Sequence, residues 1–233
     1  MRPLDVLADT YAPLQRAWGD LIPPVTAAVR DVAERALAGK VSFYGVHLTE
    51  VGRRDIDWSA PQHRHQEWPA QLNRFMYLVP LAALYRETGE ARYAEAARDY
   101  IEDWMRAHPT RPGWAKARYD NVLNLCIRVG GSQHPGWLGV LPAFRTSPAF
   151  DAAFVEAMLA SCAAQLDFLM ENIANSINWR IANADCLLLS GLRLALRPGA
   201  ERWRTVGLRV LNDAWHRQVL PDGAHMERNP GYH

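Results

Sequence analysis

The last twelve residues, DGAHMERNPGYH (222–233), place Asp222, His225, Glu227, Tyr232 and His233 among two turn signals, Asp222-Gly223 and Asn229-Pro230-Gly231. These side chains move protons more readily than they fill a core. A tyrosine hydroxyl, with an ordinary pKa of about 10, is a natural acid, and an imidazole serves as acid or base near neutrality. His225 and Glu227 flank Met226, so an extended chain would show both on one face. As a plain surface loop the same groups would be solvated charges. A second cluster, NSINWRIANAD (175–185), sets Asn175, Asn178 and Asn183 at the mouth of an apolar run. Asparagine caps helices well and sits poorly inside them, so Asn178 reads as a cap and Asn183 as a satisfied buried amide. The same amides are uncharged donors for an acidic group. A third, IDWSAPQHRHQEWPAQLNR (56–74), crowds Asp57, Trp58, His63, His65, Glu67 and Trp68 together. His63 and His65 would share a face only of a strand, and no third ligand stands at a useful spacing, so no metal site is expected.

The elements that must position these groups are helical nearly throughout. Apolar residues recur at three- and four-residue spacing over 25–39, 72–90, 91–109, 117–131, 149–173 and 201–219. The run 181–196 is almost wholly apolar and predicts a central helix. VSFYGVHL (41–48) is the best strand candidate. Two polar, aromatic stretches, 55–69 and 130–144, read as long loops, the places where a rigid scaffold carries function. Helices of this length with short connections make an all-α domain, as a bundle, a solenoid or a toroid of helical hairpins.

Composition narrows the function classes. The chain has 233 residues, enough for a substantial core without staples. Lys and Arg number 26 against 25 Asp and Glu, a net charge of +1, which offers no general grip on nucleic acid. Cys126, Cys162 and Cys186 each lie in an apolar run and read as buried free thiols. No apolar stretch reaches the roughly 20 residues that span a bilayer. Asp5 and Asp9 interrupt the N-terminus where a signal peptide needs an apolar run. The expectation is a cytoplasmic protein as the sequence stands, periplasmic or secreted if a leader has been removed. Nine tryptophans offer flat faces that suit sugar rings and helix packing alike.

Taken in order, IDW (56–58), EWP (67–69), LNR (72–74), YRETGEARY (85–93), NWRIANA (178–184) and VLPDGAHMERNPGYH (219–233) resemble the heparinase II/III superfamily of polysaccharide lyases. The resemblance runs from Ile56 to His233. It implies an α/α toroid of helical hairpins followed by an antiparallel β-sandwich. On that reading residues 1–233 are one helical domain, the N-terminal part of the toroid, C-terminally truncated. The implied activity is β-elimination on a uronic-acid-containing polysaccharide, without a cofactor, a nucleic acid or a membrane as partner; oligomeric state is not implied. Asn178 matches the asparagine that contacts the uronate carboxylate, and Tyr232 the catalytic tyrosine, with Arg180 and Arg228 as cations that could lower its pKa. His225, Glu227 and His233 are possible catalytic or supporting groups. Trp58, Trp68, Asn73, Arg74 and Gln218 match recurring positions read as cleft lining or as supports. The family's histidine after the asparagine is Trp179 here, which exchanges a base for a stacking surface. Two rivals stay open. One is a toroid glycoside hydrolase using Asp57, Glu67, Asp222 or Glu227. The other is a non-catalytic domain that binds polysaccharide or protein.

Overall fold

The computed structural model describes residues 21–43, 48–59, 65, 67–109, 121–175 and 177–227. Over these the chain is all-α, an arc of helical hairpins of the α/α-toroid kind. The helices are α1 (Ala27–Leu37), α2 (Trp68–Asn73), α3 (Leu78–Thr88), α4 (Ala91–Ala107), α5 (Val122–Val129), α6 (Gly136–Val140), α7 (Ala152–Glu171), α8 (Ile177–Arg193) and α9 (Ala200–Gln218). A 3-10 turn, Leu141–Phe144, follows α6. The only strands among the described residues are β1 (Lys40–Val41) and β2 (Thr49–Glu50), antiparallel with Lys40 opposite Glu50.

Local chemistry sets the boundaries. Thr26, Asn121 and Asp151 each turn a side-chain oxygen onto the free backbone N–H groups of α1, α5 and α7. Gly89 closes α3 in the left-handed conformation (φ 71°). The expected single helix over 72–90 is divided, because Phe75 takes a left-handed φ of 59° between α2 and α3. That break turns the Phe75 ring into the core, where it stacks on Trp58 at 5.2 Å and meets Trp137 edge-on at 5.2 Å. The strand expected over 41–48 shrinks to a two-residue ladder, and 44–47 lie outside the described residues. The expected loop 130–144 folds into α6 and its 3-10 turn after Pro135, burying Trp137, Leu138 and Phe144.

α8 and α9 form the closest pair. A Cβ on Gly207 of α9 would lie 2.6 Å from the Leu188 nitrogen, so only glycine lets the helices approach this closely. α7 has 20 residues and is the one described helix long and apolar enough to cross a membrane, although the sequence reading expected no such apolar stretch. It lies in the core instead, with Phe154, Val155, Met158, Cys162, Leu166 and Leu169 buried. Trp68, Trp104, Trp137 and Trp203 are fully buried, so most described tryptophans serve packing. Arg128 is enclosed with them. Its guanidinium lies 4.2 Å over the Trp104 ring, and it donates to Gln165 Oε1 at 2.8 Å and the Asn73 carbonyl at 3.1 Å.

Candidate active site

α5, α8 and the segment after α9 meet around a cavity of about 380 Å³ that opens to solvent. Asn178, in the first turn of α8, lines it together with Ile181, Ala182, Asp185 and Cys186 further along the same helix. Cys126 and Ile127 of α5 form another wall, and the loop 131–134 a third. Asn178 Oδ1 accepts from the Trp179 backbone N–H at 3.0 Å. Asn183, one turn on, faces inward and is satisfied, as expected. It accepts from the Ala174 N–H at 2.9 Å and donates to the Val122 carbonyl and Cys126 Sγ.

The chain leaving α9 doubles back sharply. His225 pairs with Val219 across an antiparallel bridge, and the Met226 N–H bonds the Gln218 carbonyl at 2.8 Å. The turn brings His225, buried, onto the cavity wall. Its Nε2 meets Gln218 Oε1 at 3.1 Å, and the Glu227 N–H donates to its Nδ1 at 3.4 Å. Both ring nitrogens are thus engaged, and Gln218 acts as a prop for this turn, not as cavity lining. Tyr232, His233 and Arg228 lie outside the described residues, as does His63.

Several other expected residues are placed elsewhere. Asn73 is fully buried: its amide donates to the Trp58 and Pro69 carbonyls and accepts from Trp104 Nε1 at 2.8 Å. Trp58 is held by Asp103, and Trp68 packs edge-on against Phe43 at 5.3 Å. These three are core residues, because the IDW segment is anchored from beneath. Asp103 accepts from the Asp55 N–H at 2.7 Å, the Ile56 N–H at 3.1 Å, Trp58 Nε1 at 3.0 Å and Arg106. Burial pushes this carboxyl up, but the four donors outweigh it and hold the pKa below the ordinary value. Arg74 is largely enclosed and donates to Asn124 Oδ1 at 2.6 Å. Trp179 is half-buried and is not part of the cavity wall. Arg180 lies 3.5 Å from Asp213, which Arg217 also holds at 2.6 Å. Asp57 bonds Ser59 in a tight turn. Asp57, Glu67, Asp222 and Glu227 are not among the described residues that line this cavity.

Two titratable wall residues were not singled out from the sequence: His134 and Asp185. Asp185 Oδ2 accepts from the Ser132 N–H at 2.7 Å, and burial raises its pKa above the ordinary value. The only sequence signal for this pair was the polar stretch 130–144. Among the described residues no three His, Cys, Asp or Glu side chains gather as a metal site.

With this geometry in place, comparison with known proteins is informative. Residues 18–233 match the family described as Heparinase II/III N-terminus, and the chain belongs to that family. A heparin-sulfate lyase of Pedobacter heparinus is 29% identical over 216 residues, covering 92% of this chain and 32% of the relative. A heparin-sulfate lyase of Bacteroides thetaiotaomicron is 26% identical over 180 residues, 76% of this chain and 25% of that one. The crystal structure of heparan sulfate lyase HepC from Pedobacter heparinus superposes with a TM-score of 0.78 at 29% identity, over 91% of this chain and 33% of that one. The chain therefore spans about a third of the length of the first of these relatives.

Proposed function

We propose that this chain carries the Asn178 side of a polysaccharide lyase site that cleaves a uronic-acid-containing glycosaminoglycan by β-elimination. The observation that carries the reading is Asn178, at the start of α8, facing an open cavity that the segment leading to Tyr232 helps to wall. Membership of the heparinase II/III family and the names of the lyase relatives support the substrate class.

The chemistry sets the requirements. The proton on C5 of the uronate lies next to a carboxylate anion and is very weakly acidic. An uncharged amide donor at that carboxylate lets charge spread into it as the proton departs, and Asn178 is proposed as that donor. A base takes the C5 proton, the electron pair forms the C4–C5 double bond, and the C4–oxygen bond breaks. Tyr232 is proposed as the acid that protonates the leaving oxygen, and it can serve as base as well once its proton is drawn off. No water enters.

Because the relatives are about three times as long, the 233-residue chain by itself is proposed to turn over little or no substrate. The test follows the ultraviolet absorbance of the conjugated double bond when uronate polymers are incubated with a longer protein containing this chain. Only elimination creates that chromophore. Cleavage that yields reducing ends without it would refute the reading.

A further inference from the structure

The reversal of the chain after α9, residues 218–227, is closed at both ends. Gly223, at φ 85°, makes the corner, and its N–H bonds the Leu220 carbonyl at 2.8 Å. The Leu220 N–H bonds the Ala224 carbonyl at 2.8 Å, and Asp222 Oδ1 accepts from the Ala224 N–H at 3.0 Å. At the open end the Met226 N–H bonds the Gln218 carbonyl at 2.8 Å. The His225 ring ties the same end with two side-chain bonds, one with Gln218 Oε1 at 3.1 Å and one from the Glu227 N–H at 3.4 Å. Gln218 and His225 are buried there, while Pro221, Asp222 and Gly223 at the tip stand in solvent. The chain that this end of the reversal releases runs on in sequence to Tyr232.

The two bonds fix the protonation state of the ring. A backbone N–H only donates, so His225 Nδ1 accepts and carries no proton. The ring's proton is then on Nε2, which donates it to Gln218 Oε1. With both nitrogens committed in this way, the ring works on the cavity wall as a clamp and not as a base. The clamp has one chemical condition. An imidazolium carries a proton on each nitrogen, so Nδ1–H would face the Glu227 N–H, donor against donor. Protonation thus replaces a bond with a repulsion at the end where the reversal closes. Among the described residues, Asp185, Cys126 and Cys186 and, from the loop joining α5 to α6, His134 are the other titratable groups on this wall. Asp222 and Glu227 are the acidic groups of the turn itself, and α9 presents the uncharged Gln218.

We propose that His225 is a positioning residue of this site: its neutral ring clamps the reversal after α9 at the cavity and so sets the path of the chain toward Tyr232, and its protonation opens the clamp. The inference rests on the lyase reading above for the reaction that the clamp serves. It adds a gate against acid that neither Asn178 nor Tyr232 supplies.

Nitrogen-15 NMR of the 233-residue chain should find His225 as the Nε2–H tautomer at about pH 8. The Glu227 amide, corrected for its intrinsic exchange rate, should lose protection about tenfold by about pH 5, the loss of one hydrogen bond. His225→Asn sets an amide oxygen near the place of Nδ1 and gains no proton, so its Glu227 protection should stay flat over that range. In a longer protein that contains this chain, His225→Ala should lower kcat for elimination on the order of 10- to 100-fold, as a displaced reacting group does, with KM within about twofold of wild type. His225→Asn should hold kcat within about threefold of wild type at the higher pH and keep more of it than wild type at the lower one. The other titratable groups are shared by both proteins, so the difference between their profiles isolates His225. Should His225→Ala fail to fold, the tautomer and the His225→Asn comparison decide. A Nδ1–H tautomer at the higher pH would overturn the clamp, as would protection that fades equally in wild type and His225→Asn. Equal losses of kcat in His225→Ala and His225→Asn, on one shared acid limb, would overturn the positioning role. No elimination by the wild type, with tautomer and protection as expected, would sink the lyase reading alone and leave the clamp standing.

Discussion

Asn178 and Asp103 show how differently two polar residues are used. Asn178 faces the cavity, so its removal should touch chemistry and spare the fold. In a longer active protein Asn178→Ala should lower the elimination rate on the order of 10²- to 10³-fold, as loss of one donor to a developing oxyanion does, with the melting temperature unchanged. Tyr232→Phe removes only a hydroxyl and should lower the rate by about 10²- to 10⁴-fold while oligosaccharide binding persists. Asp103 faces inward and should behave in the opposite way. Asp103→Ala leaves two backbone N–H groups and an indole N–H without an acceptor and should cost about 3 kcal/mol in urea unfolding. Its folded pKa lies below the unfolded value, so its ionised form stabilises the native state above about pH 4. That contribution should fade as pH drops through the folded pKa, and the mutant's acid unfolding curve should lack that component. The sequence marked the Asn178 segment and the IDW segment that Asp103 anchors by residue type. It could not tell that Trp58, Trp68 and Asn73 point inward, because a tryptophan or an asparagine in a polar stretch serves a cleft or a core equally well. Nor did it mark His134 and Asp185, whose link crosses from the α5–α6 loop to α8 and leaves no local pattern.

At the scale of elements, helix periodicity was the readable signal. The expected 25–39, 91–109, 149–173 and 201–219 correspond to α1, α4, α7 and α9 with ends moved by a few residues. The two departures have nameable causes. Phe75 breaks one helix because its ring is worth more in the Trp58–Trp137 cluster than continued backbone pairing, and no sequence pattern reports a tertiary contact of that kind. Residues 136–144 are rich in glycine and proline, which reads as a loop, yet burial of Trp137, Leu138 and Phe144 stabilises α6 and its 3-10 turn. The α8–α9 seam gives a direct test. Gly207→Ala would set a methyl group 2.6 Å from the Leu188 nitrogen and 2.8 Å from the Ala184 carbonyl, both backbone atoms that cannot swing aside. The helices must separate, at a cost of about 1–3 kcal/mol read by thermal unfolding. Gly89→Ala meets no neighbouring atom and carries only its left-handed φ, so it should cost less, about 1 kcal/mol.

For the whole molecule, composition spoke more clearly about what the chain does not do than about what it does. A balanced charge argued against a general electrostatic hold on nucleic acid. The high tryptophan count suggested sugar platforms as readily as packing, and the structure assigns most of the described indoles to the interior. Trp104 is the centre of that arrangement, meeting Trp137 at 5.3 Å with the rings at 86°, and stacking on His108 at 4.4 Å. Rings held this close in a fixed, chiral arrangement couple their electronic transitions. The native chain should therefore show intense near-ultraviolet circular dichroism that vanishes if the interior loosens while the helices persist, a condition that far-ultraviolet signal alone would miss. Trp215, 64% exposed on α9, emits from water in every state and supplies the red-shifted baseline against which the buried rings report. The aromatic interior thus doubles as an optical gauge of its own order, able to separate a variant that has lost a catalytic group from one that has lost its packing, without any label attached.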